Sequence, residues 1–342
     1  MINQISSYGL VLALVLALVA CSEPQASKLQ GSTMGTSYSV VITRLPEAVS
    51  EESVQQGIDS ILEQVNQQMS TYRKDSELSQ INQSAANLWL NTSAELFAVI
   101  QSAQLISQQT GGAFDVSVGP LVNLWGFGPP ESLVTDTPSE EQIERARALV
   151  GYHYLEIKQE NRQLRKPFKE LYIDLSAIAK GYGVDAVASY LDSLGIEDYL
   201  VEIGGELKGK GVSQRGDYWR VAVEKPVPGQ RMIQRVIEVD DFAVATSGDY
   251  RNYFEKDGVR YSHTIDPRTG RPINHTLASV SVLSDEAMLA DAWATALMVL
   301  GEEEGYKLAE EKGLAAYFLY RQGEAFLSRE TSAFSRLTKH SG

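Results

Sequence analysis

The chain has 342 residues, 43% of them hydrophobic, and a formal net charge of −14 at pH 7. So acidic a protein is a poor partner for nucleic acid or for anionic lipid headgroups, because both carry the same sign of charge. The length suffices for one large domain or two closely joined domains with a hydrophobic core of their own.

The N-terminus has the pattern of a bacterial lipoprotein signal. Residues 10–20 contain only Leu, Val and Ala, which suits the apolar part of a signal peptide, and the run is shorter than the roughly 20 residues that span a bilayer. It ends in Leu-Val-Ala-Cys, which resembles a lipobox, the motif whose cysteine carries the lipid. The alternative is a buried cysteine in a short anchor helix, and residues 1–9 lack the basic residues usual in such signals.

This pattern predicts a signal peptide at 1–20, followed by a lipidated Cys21 and a polar tether at 21–30. The lipid would hold the protein on the periplasmic side of either the inner or the outer membrane. Cys21 is the only cysteine, so the chain has no internal disulfide and the processed protein no thiolate metal site.

In the first half of the chain, hydrophobic spacing and capping residues predict three helices and one strand. Thr92 with Glu95, and Ser139 with Gln142, have the spacing of capping boxes. The predicted elements are a strand at 36–43, helices at 51–69, 92–111 and 139–149, and a loop rich in Gly and Pro at 126–138.

The second half mixes strands and helices without a regular β-α-β alternation. Ser176 is the expected start of one helix and Gly301 the expected end of another. The predicted elements are strands at 171–175, 219–223, 233–239 and 278–283, helices at 176–194 and 285–300, and a hairpin of 316–319 with 325–327. This order indicates an α+β fold with largely antiparallel sheets and packed helices, built as one domain over residues 31–335.

The most informative segment lies in the predicted helix 285–300. Asp291 and Thr295 are four residues apart, so a helix places a carboxylate and a hydroxyl on one face, among alanines that let other atoms approach. Buried carboxylates are either paired or bind cations, and oxygen ligands suit Mg²⁺, so the two side chains are a candidate metal site. The alternative is an aspartate satisfied by a main-chain donor or a buried lysine.

A second candidate is the segment 173–185. It contains Asp174 at the end of the predicted strand, Lys180 one turn into the predicted helix, and glycines at positions 181 and 183 inside that helix. Such glycines cost helix stability and usually permit a close approach of another backbone. A helix N-terminus with a lysine beside it suits a phosphate, although packing of the helix against a sheet explains the glycines equally well.

His263 is the one of four histidines that stands beside a rigid Asp-Pro turn with hydroxyl and carboxylate groups nearby. A neutral imidazole there can take a proton from an attacking hydroxyl, and the alternative is a structural, hydrogen-bonded histidine. Three further segments, 31–36, 70–72 and 111–117, are rich in Gly, Ser and Thr, and the last can wrap a planar ligand. Strand starts and turns explain these three segments as well.

Taken in order, nine motifs of the chain resemble those of the ApbE family, the FAD:protein FMN transferases. They are the lipobox and, within about residues 28–330, GSTMGTSY, MSTYRKDSELSQIN, GGAFDVSVGPLVNLWGFG, IDLSAIAKGYGVD, VEIGGELKGKG, ATSGDYRNYF, HTIDPRTGRP and ADAWATAL. The resemblance implies a two-lobed structure related to T-fold proteins. It also implies Mg²⁺-dependent transfer of FMN from FAD to a Ser or Thr hydroxyl of an acceptor protein, with release of AMP.

The same resemblance assigns roles to individual residues. His263 is the implied catalytic base, and the implied Mg²⁺ ligands are the side chains of Asp291 and Thr295 and the carbonyl of Ala177. The implied FAD contacts are Met34, Tyr72, Ala113, Phe114, Asp115, Asp174, Lys180 and Ile265. These roles require the helix residues 291–295 to lie beside the segment 174–180.

Two other functions stay open on the sequence. A hydrolase would use the same site to split FAD into FMN and AMP, with water in place of the acceptor hydroxyl. A non-catalytic flavin-binding lipoprotein would need no base, so the combination of His263, Asp291 and Thr295 argues against it. The acceptors expected for a transferase are subunits of membrane redox complexes or exported flavoproteins with a Ser or Thr flavinylation motif.

Overall fold

The computed structural model describes residues 26–129, 137–226, 232–249, 253–256, 259–323 and 325–338. Its helices are α1 (Glu51–Met69), α2 (Glu77–Gln83), α3 (Ala94–Gln109), α4 (Gly119–Leu124), α5 (Glu140–Arg147), α6 (Ala179–Ser193), α7 (Ala287–Lys312) and α8 (Ser332–Leu337). Its strands are β1 (Ser27–Thr33), β2 (Thr36–Ile42), β3 (Leu90–Asn91), β4 (Glu156–Lys158), β5 (Gln163–Arg165), β6 (Tyr199–Ile203), β7 (Glu206–Lys210), β8 (Trp219–Lys225), β9 (Met232–Val239), β10 (Phe242–Gly248), β11 (Tyr253–Lys256), β12 (Val259–Ser262), β13 (Ile265–Asp266), β14 (Arg271–Pro272), β15 (Leu277–Ser284), β16 (Ala315–Gln322) and β17 (Ala325–Glu330).

Eight strands form one antiparallel sheet in the order β1-β2-β6-β7-β10-β15-β16-β17. Helix α7 packs on one face of β10 and β15, and the separate β8–β9 hairpin covers the other face. Val280 and Val282 of β15 accordingly belong to the α7 core, whereas Leu283 packs with the hairpin. The predicted α+β fold with largely antiparallel sheets is confirmed.

Several predicted elements have the expected bounds. Helix α1 matches the predicted 51–69, and α5 begins with the predicted capping box, in which Ser139 and Gln142 each accept a hydrogen bond from the main-chain N–H of the other. The strands predicted at 36–43, 219–223, 233–239 and 278–283 and the hairpin of 316–319 with 325–327 overlap β2, β8, β9, β15, β16 and β17.

The strand predicted at 171–175 is wrong, because side chains rather than a neighbouring strand hold this segment. The Asn82 amide donates to Ile173 O and accepts from Ile173 N, both at 2.8 Å. The ammonium of Lys166, which is 1% exposed, donates to the carbonyls of Asn82, Lys169 and Leu171. Burial lowers the pKa of Lys166, and the three carbonyls use all of its donors.

Three predicted helix starts are too early, among them that of α7, which begins at Ala287 and not at 285. Helix α3 is capped by Ser93, whose hydroxyl accepts from Leu96 N, and not by Thr92. The side chain of Glu95 instead accepts from Gln68, so it does not complete the predicted capping box. Helix α6 begins at Ala179 rather than at Ser176, because residues 176–178 form a turn.

Three further differences concern the extent of elements. Helix α7 continues to Lys312, since Gly301 (φ 80°, ψ −175°) kinks the helix at its predicted end without terminating it. Residues 27–30 of the predicted tether belong to β1, which pairs with β2. The short helix α2 has no counterpart among the predicted elements.

The predicted signal peptide and Cys21 lie outside the described residues, as does part of the loop predicted at 126–138. In the part of the chain that is described, no helix has both the length and the apolar composition that crossing a membrane requires. The lipid anchor and the periplasmic location stay predictions.

Candidate functional site

The site is built where the first turn of α6 meets α7. Gly181 N donates to Asp291 Oδ2 at 3.1 Å, and Asp291 is 3% exposed. A Cβ at position 181 would lie 2.3 Å from the carbonyl oxygen of Ala287, so only glycine lets the two backbones come this close. The predicted proximity of segments 174–180 and 291–295 is present in the structure.

Replacement of Gly181 by Ala is expected to lower the free energy of unfolding by about 2 kcal/mol. The gain in helix propensity, about 1 kcal/mol, is smaller than the cost of forcing two backbones apart. The matched control is Gly183→Ala, in the same turn of α6, whose Cβ would meet the flexible Met34 Cε at 2.9 Å. Urea unfolding of both variants checks the prediction, and equal midpoints would show that the α6–α7 contact yields easily.

A carboxylate of α6 also fixes the start of α7. Asp185 accepts from Ala287 N at 2.9 Å and from Met288 N at 2.8 Å. Burial raises the pKa of Asp185, which the two main-chain bonds and Lys208, 3.8 Å away, oppose. A negative group at a helix N-terminus is favourable, so Asp185 stabilises the first turn of α7, which precedes Asp291 by one turn.

Lys180 stands between two buried carboxylates. Its Nζ lies 2.7 Å from Glu206 Oε1 and 3.9 Å from Asp291 Oδ1. Burial raises the pKa of Asp291, and it raises the pKa of Glu206 to about 7. Burial works to lower the pKa of Lys180, but Asp291 and Glu206 together raise it, so the ammonium stays charged.

Glu206 is a residue of this group that was not predicted from the sequence. It is the first residue of β7, follows the Gly204–Gly205 turn and is 4% exposed. Its Oε2 is buried and has no hydrogen-bond partner among the described residues. A glutamate directly after a glycine pair and within a buried strand pattern is the signal that identifies it.

The two other predicted metal ligands are on α7 and in the turn before α6. Thr295 is one turn further along α7, and its hydroxyl is 3.2 Å from that of Ser247 in β10, a second residue missed from the sequence. In a regular helix, Gly181 N would donate to the carbonyl of Ala177. Here it donates to Asp291 instead, so the Ala177 carbonyl does not accept this hydrogen bond. This carbonyl therefore has capacity to bind a ligand.

The loop after α3, predicted to contact FAD, is held by its own side chains. The Asp115 carboxylate accepts from Ser117 N, Ser117 Oγ and Tyr152 N. Burial raises the pKa of Asp115 and these bonds oppose the rise. Ala113 and Phe114 are 1% and 2% exposed, so what this loop can offer a ligand is chiefly its main chain.

A cavity of about 520 Å³ opens beside this region. Tyr72 and Tyr172 line it together with Lys74 and Lys169, and no acidic side chain is among the described residues that line it. Tyr72 is 60% exposed, and burial of its hydroxyl end and the nearby Asp174 raise its pKa. Aromatic rings and ammonium groups in an otherwise acidic protein suit an aromatic ligand that carries negative charge.

The remaining predicted site residues lie on neighbouring turns. Met34 occupies the β1–β2 turn at φ 48°, and its side chain reaches Gly183 of α6. His263 links β12 to β13, and its ring packs edge-on against Phe127 with 6.3 Å between centroids. Ile265 is 5% exposed in a small apolar cluster. The structure thus brings Lys180 and Asp291 together, with Thr295 one turn further along α7 and Ala177 in the turn before α6. His263 precedes β13, and Ile265 is the first residue of that strand.

Comparison with known proteins finds relatives along almost the whole chain. The model of the ApbE family matches residues 34–318. The FAD:protein FMN transferase of Vibrio cholerae serotype O1 is 49% identical over 324 residues, which cover 94% of this chain and 96% of that protein. The protein of the same name from Escherichia coli K12 is 40% identical over 92% of this chain and 93% of its own length.

Solved structures show the same fold. The flavin transferase ApbE from Vibrio cholerae has a TM-score of 0.85 at 47% identity and covers 91% of this chain and 99% of that chain. The apo form of the Pseudomonas stutzeri flavinyl transferase ApbE has a TM-score of 0.84 at 42% identity, and the match covers 92% of this chain and 97% of that chain. With a family match over most of its length and relatives this similar along almost all of it, the chain belongs to the ApbE family.

Proposed function

We propose that this chain is a flavin transferase that moves the FMN part of FAD onto a Ser or Thr hydroxyl of an acceptor protein and releases AMP. The proposal rests on the ion pair between Lys180, in the first turn of α6, and the buried Asp291 of α7. The relatives of this chain in its family are named as transferases. In this reaction the acceptor oxygen bonds to the phosphorus of the FMN phosphate. The bond from that phosphorus to the AMP oxygen breaks, and AMP leaves with the electron pair.

The residues present fit a Mg²⁺ ion. Asp291 is a buried carboxylate whose nearest positive charge lies 3.9 Å away, and the hydroxyl of Thr295 one turn along α7 and the carbonyl of Ala177 in the turn before α6 are further oxygen ligands. No three His, Cys, Asp or Glu side chains cluster as a metal site in the described part of the chain, so phosphate oxygens or water would complete the ligands. When bound, the ion would neutralise charge on the pyrophosphate.

The chain's own groups supply the rest of the chemistry. Lys180, which is charged and partly exposed, binds phosphate oxygens and stabilises the leaving AMP. The cavity with Tyr72 and Tyr172 holds an aromatic part of FAD. His263 takes the proton of the acceptor hydroxyl, and the remaining predicted contacts position the FAD in line for attack.

The protein would act at the periplasmic face of a membrane, held there by lipid on Cys21. Its acceptors would be exported flavoproteins or subunits of membrane redox complexes with a Ser or Thr flavinylation motif. The strongly acidic composition accords with a lipid rather than a basic surface as the means of attachment.

The test combines purified protein, FAD, Mg²⁺ or EDTA, and an acceptor domain with a Thr flavinylation motif. Covalent flavin on the acceptor, seen as fluorescence in a denaturing gel, together with AMP release in Mg²⁺ but not in EDTA, is the expected result. AMP and free FMN without labelling of a validated acceptor would instead identify a hydrolase. Tight FAD binding without either product would identify a binding protein.

A further inference from the structure

Glu206 has a place in the site that the reaction above leaves unexplained. It is a carboxylate almost removed from solvent, with one oxygen on Lys180 and the other without a described partner. A buried ion pair of this kind contributes little to stability, because desolvation offsets the attraction. A neutral side chain of the same size would fill the space at lower cost, so stability does not account for the charge.

The backbone around Glu206 is arranged to hold it against Lys180. The Gly204–Gly205 turn lies on the stem of the lysine, since a Cβ at Gly204 (φ +61°) would be 3.4 Å from Lys180 Cδ. Glu202 closes this turn by accepting from Gly205 N at 2.6 Å. The turn therefore fixes both where β7 begins and where Lys180 can go.

The ammonium of Lys180 is attracted by two nearby carboxylates, those of Glu206 and Asp291. It is 1.2 Å closer to Glu206 than to Asp291 (3.9 Å less 2.7 Å), so the direct hydrogen bond goes to Glu206. Without Glu206, the ammonium would have Asp291 as its remaining ion-pair partner in this group. An ammonium on Asp291 would occupy the carboxylate that the proposed function assigns to a cation.

From this geometry we propose that Glu206 is a positioning residue that keeps Lys180 off Asp291 and so leaves Asp291 available to a divalent cation. The inference rests on the proposed function, in which Asp291 is a cation ligand. When both carboxylates are ionised, Glu206 also balances the ammonium, and the three side chains then carry one net negative charge. A site with net negative charge is the better partner for a cation.

The test measures Mn²⁺ binding to the purified protein without FAD, from the electron paramagnetic resonance signal of free Mn²⁺. Glu206→Gln is expected to weaken binding about tenfold, the usual effect of losing a group that orients a metal ligand. The double variant Glu206→Gln with Lys180→Met should bind Mn²⁺ nearly as well as the unaltered protein, because the competing ammonium is gone. Glu206→Asp, which keeps the charge, is the matched control and should bind more tightly than Glu206→Gln.

Two results overturn the inference. Unchanged Mn²⁺ binding by Glu206→Gln would show that Glu206 has no influence on Asp291. Weak binding by both the single and the double variant would show that Glu206 is itself a ligand or serves the fold. Acceptor labelling by the unaltered protein is measured in parallel, so absence of labelling with the expected order of Mn²⁺ affinities would count against the proposed function alone.

Discussion

Replacement of Asp291 by Asn is expected to reduce covalent flavin labelling of the acceptor at least about 100-fold and to abolish its dependence on Mg²⁺. Asn has the size of Asp and keeps one oxygen, but it lacks the charge that a hard cation requires of a ligand in a buried site. Initial rates of labelling across a Mg²⁺ titration measure both effects.

The fold should survive this substitution. Burial raises the pKa of Asp291, which means that the folded protein disfavours its charge, and Lys180 keeps its closer partner Glu206 when the charge is gone. We therefore expect the free energy of unfolding of Asp291→Asn to equal or exceed that of the unaltered protein. Lost activity in a protein of unchanged stability would then report on the site.

Asp285→Asn is the matched control for Asp291→Asn. Asp285 is exposed and lies two residues before α7, so its loss removes the same charge from the same region without touching the site. Its labelling rate and Mg²⁺ response should match those of the unaltered protein. Labelling by Asp291→Asn at the rate of this control would contradict the proposed role of Asp291 as a cation ligand.

The part of the site that lies within one helix can be predicted from the sequence. Asp291 and Thr295 are four residues apart in a segment with helical spacing, and the structure has them one turn apart on α7. Gly181 is similar, since a glycine inside a helix indicates a close approach, and the approach to Ala287 is there. The helix period alone fixes the first relation. The partner of Gly181 is known only from the structure, because Ala287 lies on another helix.

Relations between distant segments are beyond the local pattern. Residues 171–175 have the apolar composition of a strand, but their main chain is held by the distant Asn82 and Val116 and by Lys166, which shortly precedes the segment. The composition of the segment does not indicate those hydrogen-bond partners. A side chain that replaces a neighbouring strand therefore produces a wrong prediction of secondary structure.

Glu206 shows the same limit at the site itself. Its sequence neighbours indicate a tight turn, which is correct. The role of its carboxylate depends on the ion pair with Lys180, which lies on another element. Asp185 is likewise an ordinary helix residue until the first N–H groups of α7 are seen to point at it. Residues that act by orienting other residues are identified from the tertiary structure.

Replacement of His263 by Ala is expected to leave FAD binding within about twofold and to reduce acceptor labelling by about 10²- to 10⁴-fold, the range for loss of a general base. His263 lies on the segment between β12 and β13, outside the group formed by Lys180, Glu206 and Asp291. Its removal therefore leaves Lys180, Glu206 and Asp291 in place. FAD titration by fluorescence and single-turnover labelling measure the two quantities separately.

His153→Ala is the matched control for His263→Ala. His153 is exposed, and its ring packs with Tyr152 and Tyr154 on the surface, so this variant should label the acceptor at the rate of the unaltered protein. A His263→Ala variant that loses FAD binding in proportion to activity would be a binding variant, because a base acts after the substrates are bound. Labelling at the rate of the control would place the base on another residue, since the acceptor hydroxyl must lose its proton in either case.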